Sequence, residues 1–246
     1  MADRYDYVIV GAGSAGCVLA NRLSENPDHK VCLLEAGPPD WNPFIHIPAG
    51  FVKTLKDPSV NWLFETQPSW GTNGRVIAAP RGKTLGGSSS INGLVYNRGQ
   101  AMDFDSWAQL GNRGWGYADI LPYFKRLETR LGKGDPLYRG QSGEQVITDL
   151  DWRHPLCDAF VQAARDMGMP VNEDYNGRTQ EGVTYVQRTA KGRLRYSAAK
   201  AFLTPAKSRP NLHIITNAHT TSIQVEGGRA TGVTFAKGGR HGIQQQ

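Results

Sequence analysis

The sequence is short of several things, and each shortage narrows its reading. It has three cysteines in 246 residues, Cys17, Cys32 and Cys157, an odd number. Their spacing fits neither a disulfide framework nor a metal site, so buried thiols in a reducing compartment are expected. No apolar stretch is long enough to span a bilayer; the longest, Tyr7 to Ala20, is short and rich in small residues. The N-terminus lacks the basic, apolar, small-residue order of a secretion signal and carries Asp3 and Asp6 instead. A cytoplasmic protein is expected, with contact at a membrane surface left open. The formal net charge is +6, yet no block of consecutive basic residues occurs. Lys191-Gly192-Arg193-Leu194-Arg195 and the stretch from Arg75 to Lys83 are both interrupted by neutral residues. Scattered solvated charge is the better account, and it argues against a nucleic-acid partner. There is no internal repeat.

What the chain does have is glycine in a telling order. Tyr7-Val8-Ile9-Val10 reads as a strand, Gly11-Ala12-Gly13-Ser14-Ala15-Gly16 as a turn opening a helix to about Ser24, and Val31-Cys32-Leu33-Leu34 as a second strand ending at Glu35. Strand, glycine turn, helix, strand and acid are what a dinucleotide needs. Gly11 permits the tight turn, Gly13 lets backbone approach a pyrophosphate, and Gly16 lets the helix pack closely. The free N–H groups at the helix start and the helix dipole favour the diphosphate. Glu35, about 20 residues on, can accept both ribose hydroxyls and would repel a 2′-phosphate.

A second segment, Arg81 to Gly99, is rich in glycine and serine but flanked by Leu85, Ile91, Leu94, Val95 and Tyr96. A flexible linker has no reason to carry those apolar anchors. Backbone lying flat against a bulky ligand explains both features. Further on, Asp103 is expected to cap a helix carrying Trp107 and Leu110. Ile120, Leu121, Phe124 and Leu127 have helical spacing with Pro122 near the start. Pro155 opens a helix with Leu156, Phe160, Ala163, Ala164 and Met167, ending at Gly168, and Ser197 caps another through Phe202 and Leu203. Leu212 to Thr216 reads as a strand, and Thr221 to Glu226 with Ala230 to Lys237 reads as a hairpin turning at Gly227-Gly228.

With both glycine segments, and with Leu34-Glu35-Ala36-Gly37, Asn61-Trp62, Asp105-Ser106-Trp107, Leu121-Pro122-Tyr123-Phe124 and the run from Asn211 to Gly232, the chain resembles the glucose–methanol–choline (GMC) oxidoreductases. It is most similar to their bacterial choline dehydrogenase-like branch, through an N-terminal portion. The resemblance implies an α/β fold: a Rossmann-type FAD-binding domain, incomplete here, with part of an α+β substrate domain. Residues 1–37 would form the first βαβ unit, 38–150 a segment covering FAD with the flavin-contacting loop at 81–99, and 151–205 part of the substrate domain. Residues 206–246 would return to the FAD-binding domain.

The resemblance further implies non-covalent FAD, because Ile91 stands where some members carry the histidine that attaches the flavin. Gly11, Gly13, Ser14, Ala15 and Gly16 would meet the diphosphate, Glu35 and Ala36 the adenosine, and Trp62, Gly82 and Gly87 would line the cofactor. Asn92, Gly93, Leu94 and Val95 would pass beside the flavin ring. Thr220 stands where the family usually has valine, whose backbone meets adenine. The activity implied is oxidation of a small alcohol by hydride transfer to flavin N5, with oxygen, a quinone or a carrier protein as electron acceptor. A catalytically incompetent FAD-binding fragment and a cyanohydrin lyase are the alternatives within the family. An NAD enzyme is disfavoured by the second glycine segment. None of His29, His46, His154, His213, His219 or His241 matches the family's distal catalytic motif. The catalytic histidine is expected beyond residue 246, and a second polypeptide could complete the fold.

Overall fold

The computed structural model describes residues 3–238 and 240–245, with side chains from Arg4 to Gly238. It divides into two compact units, one formed by Met1–Gly93 with Arg193–Gln246, the other by Leu94–Gly192.

The first unit is built on a parallel three-stranded sheet in the order Leu212–Ile215, Val31–Leu34, Tyr7–Val10. Val31 pairs with Tyr7 on one side and Leu212 on the other. All four residues of the middle strand are buried, as befits an apolar run covered on both faces. Tyr7–Val10 pairs on one side only among the described residues. Helix Ser14–Leu23 follows it, and Asn21 on its buried face donates from Nδ2 to Phe202 O at 2.8 Å.

Phe202 lies in a π-helical turn, Ala199–Leu203. That turn runs into Pro205, which has no N–H to continue the regular ladder. Ser197 begins this helix as expected, its Oγ accepting from Lys200 N at 3.3 Å.

The expected hairpin forms between His219–Glu226 and Arg229–Lys237, with Gly227 and Gly228 both at positive φ, as a tight two-residue turn demands. Strand Arg240–Gln245 and the short Asp3–Arg4 extend it to four strands. Tyr5, Cys32, Leu34, Ala218, Val233 and Phe235 form one hydrophobic cluster of this unit, drawn from both sheets, and Ile45, Val60 and Ile91 form another.

The second unit carries helices Ala101–Gln109, Tyr117–Leu127 and Pro155–Asp166. Glu128–Leu131 pairs with Gln145–Thr148 in parallel. Four details depart from the sequence pattern. Asp103 is not the N-cap but the third helical residue: Gln100 is the cap, and Asp103 Oδ2 accepts from Gln100 N at 2.8 Å in a capping box. Pro122 lies inside its helix rather than at the start, where its missing N–H leaves a gap in the ladder. In the Pro155 helix only Ala164 is buried, and Leu156, Phe160 and Met167 are exposed. Cys17 and Cys32 are buried but Cys157, on that helix, is exposed, contrary to expectation. No helix among the described residues is long and apolar enough to cross a membrane.

Candidate functional site

The two glycine segments meet in the first unit. Gly86 N donates to Ala12 O at 2.8 Å. A Cβ placed on Gly87 would lie 2.7 Å from Gly13 Cα, so the two backbones are in direct contact and position 87 has no room for a side chain. In the first segment Gly11 adopts φ +91°, the turn only glycine makes readily. A Cβ on Gly16 would fall 1.9 Å from Gly11 O, so the helix start packs against the turn itself.

Above Gly13 the situation is the opposite. A Cβ there would meet nothing within 4 Å, because the residue borders a cavity of about 360 Å³. Gly11, Gly13, Glu35, Ala36, Trp62, Gly82, Gly87 and Thr220 of the expected set line it. Val10, Leu34, Arg81, Ser88, Ala218 and His219 complete the wall. Ser14 and Ala15 stand exposed at the helix start and Gly16 is buried behind them; none of the three lines the cavity. Asn92 and Gly93 lie outside it in the same unit, while Leu94 and Val95 belong to the second. Leu94 holds a left-handed φ of +65°, costly for a side-chain-bearing residue, with its carbonyl accepting from Thr189 N at 2.9 Å.

Glu35 is almost fully buried, at 5% exposure. Its Oε2 accepts from Ala12 N at 2.8 Å and its Oε1 from Gly37 N at 2.9 Å. Burial pushes its carboxyl above the usual range; the backbone hydrogen bonds and the nearby Lys83 cation oppose the shift without cancelling it. Each carboxylate oxygen retains acceptor capacity for a hydroxyl.

Trp62 forms the aromatic wall. It stacks with Phe64 at 5.7 Å, meets His219 edge-on at 5.4 Å, and carries Lys83 Nζ 4.7 Å from its ring centroid. The half-buried Thr220 has its Oγ1 shielded from solvent with no hydrogen-bond partner.

The residues fit FAD on observations independent of the motif. Helix Ser14–Leu23 has no side-chain cap and no acid in its first turn, so its leading N–H groups await an external acceptor. A side-chain-free backbone floor, a carboxylate and an aromatic wall surround the adjoining space, whose size suits a small-molecule site. A larger groove of about 770 Å³ in the second unit, among Arg98, Asp105, Tyr117 and Glu181, contains none of the expected site residues.

Among the described histidine side chains only His219 borders the cavity. His46 Nε2 bonds Asp40 O at 2.7 Å, His154 Nδ1 caps Leu156 N, and His213 Nδ1 bonds the Tyr5 hydroxyl at 2.8 Å. His29 bonds Asn26 at 3.2 Å. The side chain of His241 lies outside the described residues. Sequence reasoning missed Lys83 and Arg195. Lys83 sits inside the second glycine segment and was masked by it. Arg195 sits in a stretch that reads as dispersed surface charge. The one signal for Arg195 was its alternation with Leu194, which the structure resolves with the arginine inward at 2% exposure and the leucine outward at 54%.

The chain is 48% identical over 237 residues to an alcohol dehydrogenase [acceptor] of Pseudomonas putida, covering 96% of this chain and 43% of that protein. It is 47% identical over 235 residues to an oxygen-dependent choline dehydrogenase of Sinorhizobium fredii, covering 96% and 42%. Among solved structures, an FAD-dependent oxidoreductase from Chaetomium thermophilum superposes with a TM-score of 0.89 at 30% identity, over 98% of this chain and 44% of that one. The chain thus spans about two-fifths of the length of these relatives. Residues 5–246 match the family model described as GMC oxidoreductase, and the chain belongs to that family.

Proposed function

We propose that this chain is the FAD-binding part of an enzyme that oxidises a small alcohol to an aldehyde. The observation that carries the reading is the contact of Gly87 with Gly13 beside the Glu35 cavity. Two stretches of bare backbone, 74 residues apart in sequence (87 − 13), close on one cleft. The names of the relatives support the alcohol substrate, and the family supports FAD.

In this reading the N–H groups of Ser14, Ala15 and Gly16 hold the diphosphate and Glu35 accepts the ribose hydroxyls. Ala36 and the backbone at Thr220 border the adenine, with Trp62, Gly82 and Gly87 as walls. Asn92 and Gly93, with Leu94 and Val95 after them, orient the flavin ring. The strained Leu94 backbone helps fix where that run turns. When bound, FAD supplies the hydride acceptor at N5, and the protein supplies orientation and electrostatics. Isoleucine at position 91, buried at 1% exposure, offers no nucleophile, so attachment is non-covalent. No histidine of this chain is assigned as the base. In the domain assignment, residues 1–37 and 206–246 hold the ADP half, 38–150 cover the cofactor, and 151–205 contribute to the substrate side.

Titration of the purified chain with FAD, FMN and NADH, followed by flavin fluorescence and calorimetry, tests the reading. FAD is expected to bind at least tenfold more tightly than FMN, which lacks the adenosine that Glu35 would hold. Preference for NADH, or no retention of FAD at all, would overturn it.

A further inference from the structure

Arg195 is a buried cation in the first unit that the cavity does not explain. It is 2% exposed, and among the described residues no carboxylate pairs with it. All its partners are neutral oxygens. Its Nε donates to Ile45 O at 2.7 Å and its Nη1 to Ser89 O at 3.1 Å and to Asn92 Oδ1 at 2.7 Å. Its Nη2 donates to Asn92 O at 2.7 Å. The last three oxygens belong to Ser89 and Asn92, in the second glycine segment.

Burying an unpaired charge is costly, and the cost shows in this group: desolvation alone pulls the guanidinium down to about 10. A neutral side chain would satisfy a lone carbonyl at less expense. What guanidinium adds is a rigid planar fork that addresses several oxygens in fixed directions at once. Here the fork reads both the main-chain and the side-chain oxygen of Asn92 while it holds Ser89 three residues earlier. It thereby fixes the orientation of the peptide that leads into Gly93.

The segment needs such a hold. Gly86 and Gly87 both sit at positive φ and lead into a short 3-10 turn, Gly87–Ser90. Little regular ladder supports it: Ser89 Oγ to Gly86 O and Ser90 Oγ to Leu85 O brace it locally, and single bonds from Gly86 N to Ala12 O and from Ala198 N to Ser89 Oγ tie it to other elements. Arg195 anchors it to a distant element, the Pro43–His46 helix, through Ile45.

We propose that Arg195 is a positioning residue for the flavin: it presets the Ser89–Asn92 backbone to receive the ring, and its uncompensated positive charge behind that backbone favours reduced over oxidised FAD. This rests on the FAD reading. Two-electron, one-proton reduction leaves the ring one unit more negative, so a fixed cation close behind it stabilises that state. Arg195 acts through Asn92 and touches no reacting atom in this assignment.

The test compares the full chain with Arg195→Lys, which keeps the charge and loses the fork, and Arg195→Gln, which loses the charge. The first readout is amide hydrogen exchange without cofactor. Exchange over residues 86–93 is expected to rise about tenfold or more in Arg195→Lys, while Val31–Leu34 stays protected and certifies the fold. Unchanged exchange over 86–93, or loosening everywhere alike, would overturn the positioning role.

The second readout is FAD affinity and the potential of bound FAD, measured against redox dyes. Arg195→Lys is expected to bind FAD about tenfold more weakly at an unchanged potential. Arg195→Gln is expected to lose about tenfold in its preference for reduced FAD, about 30 mV for a two-electron couple. A wild-type potential in Arg195→Gln would overturn the charge role. Absence of FAD binding in the unsubstituted chain would instead refute the cofactor reading, and the exchange measurement would still decide whether Arg195 holds the segment.

Discussion

The two units solve the same problem, fixing irregular backbone in place, with opposite chemistries. The first uses absence: at its cleft, glycine backbones touch each other, and a methyl group added at Gly16, Gly82 or Gly87 would run into backbone. The second uses charge. Glu128, fully buried, accepts from Arg98 Nη2 at 2.8 Å and from Arg139 Nε at 2.8 Å. Arg139 also pairs with Asp174 and donates to Gln187 Oε1 at 2.9 Å. Asn176 joins the cluster, donating to Gln187 Oε1 at 2.9 Å and accepting from Arg98 N at 2.7 Å. Bare backbone leaves room that a ligand can fill. An ion cluster commits its polar groups to one another, so the groove beside Arg98 offers none of the touching glycine backbone that lines the first unit's cleft.

The sharpest way to break the contrast is Glu128→Ala. It strands Arg98 and Arg139, both nearly fully buried, without their shared counter-charge, and removes an acceptor for Gly140 N at 3.2 Å. A loss of about 3–5 kcal/mol is expected, read as a shift of the urea unfolding midpoint. A change under 1 kcal/mol would mean that the cluster is ornamental to this unit's stability.

In the first unit, Gly16→Ala and Gly13→Ala should separate packing from binding. The Gly16 methyl would lie 1.9 Å from a backbone oxygen that cannot rotate away. About 1–3 kcal/mol of destabilisation is expected, with FAD binding lost as the turn is displaced. At Gly13 the same methyl meets open space and the backbone is at φ −72°, which alanine adopts freely. Unfolding should therefore be unchanged within about 0.5 kcal/mol, while FAD affinity falls at least tenfold because the methyl projects toward the diphosphate. Wild-type affinity in Gly13→Ala would remove that glycine from the cofactor floor.

This difference also explains what could be read from the amino-acid sequence. The Gly11–Gly16 turn, the Val31–Leu34 strand and the Gly227-Gly228 hairpin announce themselves, because glycine spacing and apolar runs are local signals. The contact between Gly13 and Gly87 is not local, but its need is written in both segments. The ion cluster of the second unit had no such signature: Arg98, Glu128, Arg139 and Asp174 are far apart in the chain, and each alone looks like a solvated charge. Arg195 was hidden for the same reason. Buried charge outside a motif, unlike Glu35 at its strand end, is legible only once the partners are in space, whereas a missing side chain is visible residue by residue. The exposed Leu156–Phe160–Met167 stripe shows the converse limit, since helical periodicity reveals that a face is apolar without saying what covers it.

The smallest effect joins the two themes, because Glu35 is a buried charge held within the glycine cleft. Its carboxyl binds its proton more tightly in the folded chain than in the unfolded one, since burial raises it. Its stabilising contribution is therefore fully present below the ordinary glutamate value and is lost as pH rises through the raised folded-state value. Ribose hydroxyls favour the ionised form, so FAD binding should release this proton, and affinity should weaken as pH falls through the same window. An effect of about twofold to fivefold is expected, measured as FAD affinity against pH for the wild type and Glu35→Gln. The glutamine variant should bind more weakly at neutral pH and show a flatter profile, since it has no proton to release. Coincident slopes for the two proteins would mean that another group governs the pH dependence, and that the cofactor does not draw on the charge of Glu35.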